Sequence, residues 1–189
     1  MEAILPTLVG QAWASGLNVY GVILALNIGS RLGFGDVPDE LTRDWVLALS
    51  AVMFSVEFVA DKIPYVDHVW DVIHTAVRPG LAATIGVVTA GDAGASELFG
   101  GIGSGSLALA SHATKASLRV AINTSPEPVT TAIASSIEDG LVALVIGLFF
   151  VEPWLAAVVA VILLALGFGL VAIAWRTLRR VRARLTGPP

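Results

Sequence analysis

The sequence predicts an all-α polytopic membrane protein with about six transmembrane helices, and three observations carry that prediction. Of the 189 residues, 56% are hydrophobic and only 14% charged, with a mean hydropathy of +0.81. Soluble domains run at about 45–50% apolar and about 25% charged, and a chain of this size has no interior large enough to hide the excess. Six apolar stretches also approach the roughly 20 residues that a spanning helix needs. Between them lie short connections rich in Gly, Pro and Asp, and none is long enough for a separate domain.

Taken in order, the expected spans are residues 3–28, 44–59, 69–90, 98–123, 129–151 and 154–175. The first has no basic segment before it and runs past signal-peptide length, so it is expected to be retained as a span. The third is interrupted by Pro79 and Gly80, and its apolar remainder is short. Residues 1–175 form one transmembrane domain in this reading, and residues 176–189 a basic cytoplasmic tail. The absence of cysteine removes disulfide scaffolds, thiolate metal sites and cysteine nucleophiles together.

Orientation follows from the basic residues, which stay on the cytoplasmic side. Five of the eleven, Arg176, Arg179, Arg180, Arg182 and Arg184, stand in the tail. Six spans with both termini cytoplasmic would add Lys62, Arg78, Lys115 and Arg119 to that side and leave Arg31 and Arg43 outside, which predicts a multi-pass protein of the inner (plasma) membrane. Three spans per half would orient the halves oppositely, as inverted repeats 1–92 and 97–175. Ser15 and Asn27 then match Ser111 and Asn123 at one spacing.

Charge inside spans is costly, about 2.5–3.5 kcal/mol per group on insertion scales, and so it marks sites. Glu57, Asp61 and Lys62 close the second span. His74 and Arg78 stand four apart entering the third. His112, Lys115 and Arg119 share one face of the fourth, and Glu138 with Asp139 lies within the fifth. Matching depths at 1.5 Å per residue pairs Glu57 with Lys115, Asp61 with Arg119, and Glu138 with Arg78 or His112, or the same groups with partners exchanged among neighbours. Purely structural ion pairs would use fewer groups than these.

Residues 63–78 alternate apolar and polar faces at helical spacing. Up to Asp71 an interfacial helix anchored by Tyr65 and Trp70 is expected; beyond it, Asp71, His74 and Arg78 would turn inward toward a cytoplasmic vestibule. The run NTSPEPVTT has the residues of a helix start, with Thr124 or Ser125 as cap. Such a start facing His112, Lys115 and Arg119 would make an anion site. The glycine-rich run GGIGSGS is read as close helix packing or a hinge, and the pair Gly29 and Gly33 as helix packing. No metal-ligand spacing, nucleotide loop or GxSxG elbow is present, so neither a metal nor a cofactor is expected.

The segments EFVADKIPYVDHVWDVIHTAVRPG and SHATKASLRVAINTSPEP resemble the signature segments of a family of small polytopic membrane proteins of bacteria and plants, known as a domain of unknown function. The resemblance covers nearly the whole chain and implies membrane location without an activity.

The leading expectation from the residues is a non-enzymatic transporter or channel for a small anionic or phosphorylated solute, including a lipid phosphate, with coupling to protons. His74, Arg78, His112, Lys115 and Arg119 would bind the anion, and Glu57, Asp61, Glu138 and Asp139 would couple protons or ions. A cation or proton pathway through the acids is the alternative, and a membrane assembly or scaffold protein a third. The expected partners are the lipid bilayer, a small anionic solute or lipid headgroup and further copies of the chain, with no nucleic acid.

Overall fold

A computed structural model describes residues 4–122 and 128–186. These residues form seven helices and no strand: α1 (Ile4–Arg31), α2 (Asp39–Thr42), α3 (Asp44–Ala60), α4 (Val66–Asp92), α5 (Glu97–Ile122), α6 (Pro128–Val151) and α7 (Pro153–Thr186). Helix is the expected solution for apolar runs in lipid, where each backbone polar group must be satisfied within its own segment. By length and composition, α1, α4, α6 and α7 are long and apolar enough to cross a membrane. The chain is a membrane protein of the all-α class. The other two long helices have weaker credentials: α3 has 17 residues, and α5 carries His112, Lys115 and Arg119 among its buried residues.

The bundle has two ends. One, here the upper, holds α2, the α4–α5 turn and the α6–α7 turn; the lower holds the α3–α4 connection and the end of α7. Within α1, Asn18 leaves helical geometry (φ −153, ψ 90) and joins two arms. Gly10 packs on Val145 and Ala156, and Gly29 packs against the Phe150 ring. In a straight helix those glycines would be about 28 Å apart, yet Val145 and Phe150 are separated by only about 7.5 Å along α6. Chain direction must therefore reverse at Asn18.

Polar contacts agree with that reversal. Gln11 accepts from Thr89 near the top of α4, and Asn27 donates to the carbonyl of Leu41 beside α2. Both ends of α1 thus lie at the upper end, with the Asn18 apex in the interior. The expected first span is instead a helical hairpin, and its two ends do not lie on opposite faces of the bundle. The start of α1 and the end of α7 consequently lie at opposite ends, unlike the expected arrangement with both on one side. The repeat reading fails at the same place. Residues 8, 13 and 17 follow 104, 111 and 115 of α5 in the same direction, and α5 has no matching reversal.

Helix α4 runs unbroken through Pro79, so the third expected span is continuous at the point its sequence left open. Its support is a close face against α5. A Cβ on Gly86 would strike the carbonyl of Gly100, and one on Gly100 would strike that of Gly86. The glycine-rich run therefore acts in packing, as the sequence suggested. The first turns of α4 also differ from expectation. Asp67, Asp71, His74 and Arg78 are buried, whereas Val69, Val72 and Ile73 are exposed. A surface-lying amphipathic helix would keep its polar face toward water. Here the polar face is inward, so the stretch before Asp71 belongs to the bundle.

Candidate functional site

The spacings that create the site are helical. On α4, positions 67, 71, 74 and 78 recur at i, i+4, i+7 and i+11 and fall on one face. On α5, positions 112, 115 and 119 do the same. The two faces meet because the glycine contacts bring these helices together, and the end of α3 and the middle of α6 complete the ring. Glu57, Asp67 and Arg78 are 0% exposed, His112 and Arg119 1%, and Asp61 2%.

Arg78 is the upper hub. Its Nη2 donates to Glu57 Oε1 at 2.6 Å, and its Nη1 donates to Asp71 Oδ1 at 3.2 Å and to His112 Nδ1 at 2.7 Å. A guanidinium has no acceptor, so His112 must accept at Nδ1 and carry its proton on Nε2. That proton faces the Thr75 hydroxyl oxygen at 3.1 Å and the Asp71 carbonyl at 3.2 Å, while the Thr75 hydroxyl donates to the same carbonyl. His112 is thereby held as a neutral ring. Similarly, His74 Nδ1 donates to the Trp70 carbonyl at 2.8 Å and Nε2 receives the Tyr20 hydroxyl at 3.2 Å.

The lower hub joins Lys115 and Arg119. Lys115 Nζ reaches Asp61 Oδ2 at 2.6 Å and Glu138 Oε2 at 3.5 Å, and it donates to the Leu17 carbonyl at 3.1 Å. That carbonyl is adjacent to the α1 reversal, and Asn18 Oδ1 accepts from Gly21 N at 2.8 Å to cap the second arm. Arg119 binds Glu138 at 2.6 Å and Asp67 at 3.2 Å, and donates to the Asp61 carbonyl at 3.0 Å. Lys62 and Asp139 form a separate, more exposed pair at 3.1 Å.

Five carboxylates (Glu57, Asp61, Asp67, Asp71, Glu138) therefore surround three cations (Arg78, Lys115, Arg119), with both histidines neutral. Among the described residues the carboxyl groups of the network thus outnumber its cations by two. Two of its buried acceptors, Glu57 Oε2 and Asp61 Oδ1, have no hydrogen-bond partner among the described residues. Isolated charge is costly in a low-dielectric interior, where an uncompensated carboxylate takes up a proton instead.

The expected site residues mostly converge, in part with other partners; the expected Asp61–Arg119 pair is present, with Arg119 Nη2 3.8 Å from Asp61 Oδ2. Glu57 pairs with Arg78 in place of Lys115, Asp61 principally with Lys115, and Glu138 with Arg119 and Lys115 in place of Arg78 or His112. Asp139 is outside the ring. Asp67, Tyr20, Thr75 and Asn18 were not anticipated. Asp67 could have been found from its place on the Asp71–His74–Arg78 face. The expected cap at Thr124 or Ser125 lies outside the described residues. Among the described residues no group of three or more His, Asp or Glu side chains is placed to hold a metal ion.

Two apolar cavities flank the ring. One of about 380 Å³ opens between α3 and α4 in the upper half, with Tyr20 and Ser50 in its lining. Another of about 330 Å³ lies between α5, α6 and α7 lower down and is bounded by Lys115 and Glu138. This geometry defines a class: an all-helical membrane protein with a buried, acid-rich charge network beneath a reversed helix. The chain belongs to the family described as "Domain of unknown function (DUF4126)", which matches residues 5–172. No curated protein and no solved structure matches it.

Proposed function

We propose that the protein conducts or exchanges protons, or a small cation, through its buried acidic network. The observation that carries this reading is the excess of carboxyl groups over cations among the described residues, together with the oxygens of Glu57 and Asp61 that have no hydrogen-bond partner among them. Intramembrane ionisable groups of this kind commonly mark ion and proton routes. Arg78, Lys115 and Arg119 each bind at least two carboxylates, so the cations are directed mainly at the acids, while Arg78 Nε has no hydrogen-bond partner among the described residues. Their role in this reading is to hold the acids at close range.

Tyr20 and His74 connect the upper cavity toward the ring, and a cleft of about 90 Å³ near His68, Asp71 and Thr75 approaches it from the side of α4 and α5. The lower end, with Lys62 and the tail arginines, faces the cytoplasm of an inner membrane by the distribution of basic residues. Helices α3 to α7 then cross five times, and α1 enters from outside as a re-entrant hairpin. Re-entrant backbone at such depth is tolerated where protein surrounds it.

The test is proton flux into liposomes holding the purified chain and a trapped pH dye, driven by a potassium-diffusion potential. Flux above empty vesicles, lost in Glu57→Gln, is the expected result. Flux no greater than that of empty vesicles would overturn the reading and leave the network a structural device.

A further inference from the structure

The upper cavity, of about 380 Å³, follows α3 from Arg43 to Ser50, a length of about 10 Å. Ile23, Val46, Leu49, Leu81, Ile85 and Val88 give it apolar walls. Its hydroxyls are already engaged: Ser50 and Thr84 donate to the Leu47 and Gly80 carbonyls of their own helices, and Tyr20 donates to His74. Trp45 and Leu49 are 61% and 54% exposed, so the slot is open sideways between α3 and α4. Its mouth is charged instead. Glu40 and Arg43 are both exposed, and neither forms an ion pair among the described residues, since the adjacent Asp44 is held by Arg31. Asn27 donates to the carbonyls of Leu41 and Arg43, which fixes the backbone of α2 and of Arg43 over the slot.

We propose that this slot seats a phospholipid from the bilayer, with one acyl chain between α3 and α4, its phosphate against Arg43 and an ethanolamine ammonium against Glu40. A charged mouth above an apolar slot matches an amphiphile, and two unpaired charges of opposite sign match a zwitterionic head better than an anionic one. A soluble anion would meet Arg43 and leave the walls bare, whereas a neutral hydrocarbon would fill the walls and leave both charges unmatched. Trp45, at the start of α3, stands where indole rings sit among lipid headgroups. A seated chain covers Tyr20, so lipid binding and access to the Tyr20–His74 link from the upper end exclude each other. No acid of the buried ring takes part in the binding, and the inference stands apart from the proton reading.

Native mass spectrometry of the full chain, purified in detergent and stripped of lipid, compares phosphatidylethanolamine, phosphatidylglycerol and diacylglycerol carrying the same oleoyl chains. Phosphatidylethanolamine is expected to bind at least about fivefold more tightly than diacylglycerol, with most of that advantage lost in Arg43→Gln. The tail arginines attract phosphate as well, so the change in Arg43→Gln, not the bare affinity, reports the slot. Glu40→Gln should weaken phosphatidylethanolamine about threefold and leave phosphatidylglycerol at least as tight. Leu49→Trp narrows the slot without removing a charge, and should weaken both phospholipids while the thermal midpoint stays within a few degrees. Diacylglycerol binding as tightly as phosphatidylethanolamine would overturn the proposal, as would phosphatidylethanolamine affinity that survives both Arg43→Gln and Leu49→Trp, or equal weakening of both phospholipids by Glu40→Gln. Headgroup-dependent binding without proton flux in liposomes would sink the proton pathway and leave the lipid site; flux without such binding would do the reverse.

Discussion

Arg78→Met tests the charge network at one of its fully buried members. Arg78 is 0% exposed and holds Glu57 at 2.6 Å, Asp71 at 3.2 Å and His112 at 2.7 Å. Removing the guanidinium raises the excess of carboxyl groups over cations among the described residues from two to three and strips Glu57 of its hydrogen-bond donor. Breaking a buried ion pair from one side costs about 3–5 kcal/mol, whereas replacing both partners by neutral groups of similar volume is often close to neutral. Glu57→Gln with Arg78→Met restores that excess to two. The double variant should therefore recover at least about half of the single loss, a coupling of roughly 1.5–3 kcal/mol.

Thermal unfolding in detergent, followed by helical circular dichroism, measures the effect. At about 2–4 °C per kcal/mol for a chain of this length, Arg78→Met should lower the midpoint by roughly 6–20 °C. A single-variant loss below about 1 kcal/mol would show the site to be wet and screened. A double variant no more stable than Arg78→Met would show that Glu57 and Arg78 are not coupled. Either result refutes the buried-network account.

Other expectations follow from separate features. Gly86→Leu should prevent α4 from closing on α5, because even a Cβ there meets the Gly100 carbonyl, whereas Gly103→Ala faces open space and should change the midpoint by under about 2 °C. Asn18→Ala removes the acceptor for Gly21 N and should cost about 1 kcal/mol, read by the same unfolding assay, with Asn18→Asp retaining most of it. For the hairpin, single cysteines are convenient because the chain has none. In sealed vesicles, thiol reagents should reach Asp36→Cys and Gly94→Cys from one side and Pro64→Cys from the other. A tag ahead of Ile4 should be accessible on the side of Gly94; accessibility on the side of Pro64 would refute the reversal of α1.

Much of the site could be read from the order of residues. Glu57, Asp61, Arg78, His112, Lys115, Arg119 and Glu138 stand out as charges within apolar runs, and the shared face of His112, Lys115 and Arg119 follows from helical period alone. Their partners follow only in part, as in the Asp61–Arg119 contact at 3.8 Å. Depth matching treated each helix as an upright rod, while arginine and lysine reach several ångströms along neighbouring helices, so Arg78 takes Glu57 and Lys115 takes Asp61. The first turns of α4 illustrate a different limit. Periodicity separated their two faces but could not say which faced lipid, since an interfacial helix and an inward-facing one have the same pattern.

What the sequence by itself determined is the solvent, the helical class, the packing use of its glycine-rich run and the roster of costly charges, because these depend on composition and local spacing. Only the tertiary structure decided that α1 turns back at Asn18, that five acids close around three cations, and that Glu138 borders an apolar cavity. A hydropathy window measures how long and apolar a segment is, not which way its chain runs after one residue leaves the helix. Net charge within a site, likewise, is a property of side chains brought together from α3, α4, α5 and α6, and no one of those segments carries it alone.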